Sequence, residues 1–101
     1  MSEVIALKMV SGEEIVAGLI SQPLMESVGS ANTYILRRPH ILRVQQISVG
    51  QLGLVFVPWT LANSEIEQVE VPGSAVVLNY KPSEAVEKNY LEQTSGISLL
   101  R

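Results

Sequence analysis

The sequence predicts a mainly β fold that ends in one short helix. Three observations carry this. Short runs of apolar and β-forming residues recur across residues 3–81, separated by Gly, Pro, Asn and Ser. Residues 7–20 form a hairpin pattern, two apolar runs about a Ser11-Gly12-Glu13 turn. Only the tail, about residues 83–94, changes to a helical period.

The elements follow in order. Residues 4–10 are apolar on both faces apart from Lys8, and residues 14–20 alternate, with Ile15, Ala17 and Leu19 on one face. Gly12 suits the positive φ of a tight turn between them. Gln22-Pro23 breaks the pattern, and residues 27–32 are small and polar, a loop. A strand resumes at residues 33–36. Arg37-Arg38-Pro39-His40 interrupts or bends it, because proline has no N–H to give a ladder. Residues 41–48 alternate loosely, Gly50-Gln51-Leu52-Gly53 reads as a turn, and residues 54–57 as a buried strand closed by Pro58-Trp59. Residues 66–71 and 75–81 are two further strand pieces, joined or kinked at Pro72-Gly73. In the tail, Ser83 is the N-cap, Glu84 and Glu87 lie near the positive end of the dipole, and Gly96 ends the helix. Val86 and Tyr90 share one helix face, with Leu91 beside them. A helix this short needs packing to hold it.

With 101 residues the chain is read as a single domain over 1–101. It has no cysteine, which excludes disulfides and thiolate chemistry and fits a reducing compartment. The start carries no basic cluster before an apolar stretch, and no apolar run reaches the roughly 20 residues a bilayer requires. The reading is therefore a cytoplasmic protein without a membrane partner. The net charge of -3 argues against a broad basic face. Charged residues are 17%, below the roughly 25% of ordinary soluble domains, while the hydrophobic share is an ordinary 47%. Such a chain either leaves apolar surface outside its core as an interface or covers a well-filled barrel with uncharged polar residues.

Chemistry-bearing constellations are sparse. One His, no Cys and no Asp leave only glutamates and amides for a cation, so no metal and no cofactor is expected. His40 is the sole imidazole, and no serine lies in a nucleophile elbow, so His40 is read as a loop or surface residue and the chain as no enzyme. Glu13-Glu14 lies at a turn, and Glu65, Glu67 and Glu70 read as a solvated strand face or edge. Gly50 and Gly53 match a Gly-x-x-Gly clamp in form, but a hairpin turn accounts for both. The one basic concentration is Arg37, Arg38 and Arg43 around His40, with Tyr34 near enough in sequence to stack on a base. These arginines read either as the polar face of a bent strand pairing with glutamates across a subunit contact, or as a nucleic-acid patch that a ring would multiply.

The stretch from Leu7 to Ile20, with its strand, Gly turn, strand, Gly and apolar residue, resembles the first two strands of Sm and Sm-like (LSm) proteins. The whole chain is similar to the short Sm-like proteins of tailed phages and marine metagenomic samples. It carries the Gly12-Glu13-Glu14 turn, Tyr34-Ile35-Leu36 followed by Pro39, Phe56-Val57-Pro58-Trp59, and a tail helix with Tyr90. The resemblance implies a strongly bent five-stranded antiparallel Sm-like (SH3-like) barrel with a short C-terminal helix. It further implies a homo-oligomeric ring closed by edge strands, in the cytoplasm of a bacterial or phage-infected cell. Its implied function is that of an interaction or scaffold module, with single-stranded RNA as the alternative partner. The residues matched to RNA binding are Asn32, which can take the Asn place of the family's first motif, with Tyr34, Arg37, Arg38, His40 and Arg43. The chain also departs from the family. It has no Asp for the first motif, Pro72 stands where the second motif has Arg, and Gly12 and Gly18 are one residue further apart than usual, which leaves Ala17 in the second glycine's place. The resemblance thus argues for architecture and not for the family's uridine pocket.

Overall fold

Alternation decides the first two strands. A computed structural model describes residues 3–22 and 33–94. In β1 (Glu3–Met9), Ile5, Leu7 and Met9 point into one core cluster while Val4 points to another on the opposite face. β2 (Glu14–Ser21) does the same with Ile15 and Ala17 against Val16. Pairing runs from Glu3 opposite Leu19 to Lys8 opposite Glu14. Gly12 sits at φ 101 in the turn, a conformation L side chains rarely adopt. Lys8 Nζ closes the turn by donating to the Gly12 carbonyl at 3.1 Å.

The expected interruption at residues 37–40 is a bend inside one strand. β3 (Thr33–Ser48) runs through it and pairs with three neighbours. One edge meets β2. The other meets β5 over Thr33–Arg37 and then β4 from His40 onward. Gly18 lies opposite Arg37 and Val16 opposite His40, so β3 carries one extra residue, a β-bulge. Arg38 takes φ 50 there. The bulge reverses side-chain parity, because Leu36 and Ile41, five positions apart and so of opposite parity, join the same core cluster. Pro39 has no N–H to give the ladder, but two backbone groups beside that gap are partnered. Arg38 N–H donates to the Glu67 carbonyl at 2.7 Å, and the Pro39 carbonyl accepts from Trp59 N–H at 2.9 Å.

β4 (Gln51–Pro58) starts earlier than its apolar run suggests, directly after the Val49-Gly50 turn. Gly50 is the turn glycine, with φ 79. Gly53 is not: it lies inside β4, where a Cβ would come within 3.1 Å of Ile47 Cγ2, so its bare backbone makes room for that side chain. β5 (Gln68–Pro72) begins after Glu65 and Glu67, which therefore lie in the preceding loop rather than on a strand face. A 3-10 turn at Gly73–Ala75 leads into β6 (Val76–Tyr80), which pairs with β1.

The sheet order is β4-β3-β2-β1-β6, with β5 on β3. Among the described residues there are six strands where the family resemblance implied five; the two pieces expected on either side of Pro72-Gly73 are β5 and β6, with the 3-10 turn between them. Among the described residues the ladder is not closed: β5 and β6 are joined by the chain and not by mutual pairing, and β4, β5 and β6 each pair along one edge only.

Two apolar clusters follow from the two faces. The inner one gathers Leu7, Ile15, Tyr34, Leu36, Ile41 and Val71 with partners from every strand except β4. The outer one, Val4, Val16, Phe56 and Tyr90, is roofed by α1 (Glu84–Thr94). Ser83 caps this helix, its Oγ accepting from Val86 N–H at 3.3 Å. Val86 and Tyr90 are the face that packs, while Leu91 is exposed. The expected stop at Gly96 and the loop at 27–32 lie outside the described residues. No described helix is long and apolar enough to cross a membrane.

Candidate functional site

The most chemically furnished part of the molecule is the β3 bulge and what α1 lays over it. The bulge brings the Arg37 and Arg38 carbonyls within reach of α1. The Tyr90 hydroxyl donates to Arg38 O at 2.8 Å and to Arg37 O at 3.3 Å. The His40 ring meets Arg38 O through Nδ1 at 2.8 Å, and a carbonyl can only accept, so Nδ1 carries a proton. Tyr90 stands edge-on to His40, with centroids 5.9 Å apart, and edge-on to Phe56 at 5.8 Å. It is 3% exposed. Burial raises its pKa above the ordinary tyrosine value, which keeps the hydroxyl a donor. Tyr80 is also raised, first by burial and then by the Glu14 carboxylate, to which its hydroxyl donates at 3.2 Å.

Arg38 reaches across to the end of the helix. Its Nη1 donates to the Thr94 carbonyl at 3.2 Å, and Nη2 lies 3.5 Å from Glu67 Oε2. The helix has no basic residue in its own last turn, so Arg38 supplies from β3 the positive charge that its C-terminal carbonyls favour. Gln93 Nε2 adds a bond to Leu54 O at 3.3 Å. Between these parts lies a polar cleft of about 530 Å³, lined by the bulge, Pro58, Thr60, Ser64, Glu67 and the last turn of α1.

The residues expected to meet RNA do not converge. Tyr34 is 6% exposed, in the inner core, and its hydroxyl accepts from Asn79 Nδ2 at 2.8 Å, so its ring offers no face for stacking. His40 is a half-buried strand residue rather than a loop or surface one, held beneath α1. Arg37 is exposed, Arg38 turns into the cleft, and Arg43 lies further along β3 over a separate depression that also holds Glu13 and Glu14. Asn32 lies outside the described residues.

A second feature was not visible as a motif. The β3–β4 hairpin carries Val44, Ile47, Val49 and Leu52 in the open, Val49 at 95% and Leu52 at 70% exposed. Residues 44–64 contain no charge at all. At the other end of the sheet order, β6 exposes Val77 (67%) and Leu78. An apolar depression of about 630 Å³, lined mainly by Met9, Val10, Trp59, Val69, Val71 and Ala75, opens beside the 3-10 turn. The low charge fraction was the signal of this apolar surface; its placement at the two ends of the sheet needed the pairing order.

Among the described residues no group of three His, Cys, Asp or Glu side chains is placed to hold a metal ion. No protein-family model matches the chain, and no curated protein is significantly similar to it.

Proposed function

We propose that this chain is a non-enzymatic, Sm-like subunit that closes into a homo-oligomeric ring and acts as an interaction or scaffold module. The observation that carries the reading is the pair of strands that end the sheet order, β4 and β6, each unpaired along one edge among the described residues and each with exposed apolar side chains on it or on its hairpin. Unpaired edges of this kind are a liability that a head-to-tail contact removes, and such a contact closes when the rotation between copies fits. The antiparallel strand order, the bend in β3 and the 3-10 turn that carries the chain from β5 to β6 are compatible with the small bent barrel the sequence resembles. Light scattering after size exclusion at micromolar concentration tests it. The expected result is one species of several subunits; a clean monomer overturns it.

Single-stranded RNA binding by the assembled ring is the second reading. It rests on Arg37 and Arg43, which are exposed and have no ion-pair partner among the described residues. Fluorescence anisotropy with labelled oligo(U) and oligo(A) at low salt tests it. Binding must weaken steeply with added salt. No change at tens of micromolar protein removes this reading and leaves the ring untouched.

A further inference from the structure

The cleft beside the β3 bulge goes beyond the ring reading. Its volume of about 530 Å³ falls within the usual range for small-molecule sites, about 300–1,000 Å³. The backbone around it is unusual, since Arg38 is the one non-glycine among the described residues at positive φ. A bulge with a residue in this region re-aims a side chain, and here it aims the guanidinium along the cleft wall toward Thr94 and Glu67.

The polar groups define what fits. Arg38 has five N–H donors in a planar fork, and its two interactions use only part of them. Its contact with Glu67 is long, at 3.5 Å, and the Glu67 side chain is largely exposed, so an incoming anion can displace that carboxylate into water at little cost. His40 is oriented from behind. Nδ1–H is committed to the Arg38 carbonyl, so in the neutral ring Nε2 is an acceptor, and among the described residues it has no hydrogen-bond partner. Thr60 and Ser64 bring hydroxyls, and Pro39, Pro58 and Ile66 bring apolar wall. A group on Arg38 must therefore accept and carry negative charge, and a group on Nε2 must donate.

We propose that this cleft binds a small organic acid that also bears a hydrogen-bond donor, its carboxylate on the Arg38 fork and its donor on Nε2 of His40. The test is an NMR titration of the chain carrying 13C-labelled histidine, whose one imidazole reports from inside the cleft. Lactate is the probe, lactamide its uncharged analogue, and sodium chloride at matched ionic strength the control. The expected result is a saturating shift of the His40 ring with lactate and none with lactamide or chloride. Arg38→Asn keeps a residue that tolerates positive φ while removing the fork, and it weakens lactate binding by about tenfold or more. A linear, non-saturating response overturns the proposal. So does an equal response to lactamide or chloride, or an unchanged affinity in Arg38→Asn with the His40 signal still in its folded position. The wild-type arms decide the matter even where the variant fails to fold.

Discussion

Tyr90 is the residue on which the attachment of α1 turns, and two substitutions separate its ring from its hydroxyl. Tyr90→Phe removes the bonds to Arg38 O and Arg37 O. The Arg38 carbonyl keeps the His40 donor, so it is not orphaned, and the loss is that of one ordinary hydrogen bond, about 1 kcal/mol. Tyr90→Ala also empties the space between Val4, Val16, Phe56 and Val86 and removes both ring contacts. Large aromatic truncations of this kind cost about 3–5 kcal/mol. Against a total of about 5–15 kcal/mol for a domain, the alanine variant loses a large fraction of its stability and the phenylalanine variant a small one. Urea unfolding at fixed protein concentration measures both, since any association adds to apparent stability. A melting shift of about 4–8 °C accompanies each kcal/mol in a domain of this size. Equal effects of the two variants, or effects of both below about 0.5 kcal/mol, would refute a helix anchored through the Tyr90 ring.

Four further outcomes are expected. Because burial holds the Tyr90 pKa above its unfolded value, its contribution is complete below about pH 10 and is lost as pH rises through the higher folded value; the difference in stability between wild type and Tyr90→Phe should therefore change only in that alkaline range, and a difference that changes near neutrality contradicts it. Gly12→Ala forces a side chain into φ 101 and should cost about 1–3 kcal/mol, whereas Gly53→Ala meets only the Ile47 side chain and should cost less than Gly12→Ala, a ranking that chemical denaturation checks directly. Ser83→Ala removes the N-cap acceptor and should cost about 1 kcal/mol, read as loss of helical ellipticity and a lower urea midpoint. Val77→Lys and Leu52→Lys place charge on β6 and on the β3–β4 hairpin, and each should lower the mass seen by light scattering with little change in the folded monomer; unchanged mass in both would remove these two surfaces from the interface.

Local signals were the legible part. The β1–β2 hairpin was readable because its turn glycine and its alternation lie within a few residues of each other. Ser83 and the Val86/Tyr90 face were readable for the same reason: a cap and an i, i+4 pair are decided within one or two turns. What Tyr90 does was not readable, because its partners are carbonyls 52 and 53 positions away, at a bulge that exists only once β3 meets β2. Arg37, Arg38 and Arg43 are close in sequence and separate in space, since the bulge reverses parity and the strand changes partner between them. Tyr34, exposed in the RNA reading, is buried because its face of β3 is the inner one. Gly53 looked like a turn residue, and only the opposite strand, with Ile47 leaning over it, explains its missing side chain.

By itself the sequence determined the β class, the opening hairpin, the capped tail helix and the poverty of charge, all of which rest on propensity, period and composition. The tertiary structure decided three other things. β3 is one bent strand, β5 and β6 pair with different strands, β3 and β1, and the ladder among the described residues is left open with apolar side chains at both ends. The physical reason is common to them. Pairing between distant strands sets where a bulge is tolerated, and the bulge then chooses which face every later side chain occupies. Proline at position 39 says that the ladder lacks a donor there; the groups that meet the backbone beside it, the Glu67 carbonyl and the Trp59 N–H, come from the segment between β4 and β5.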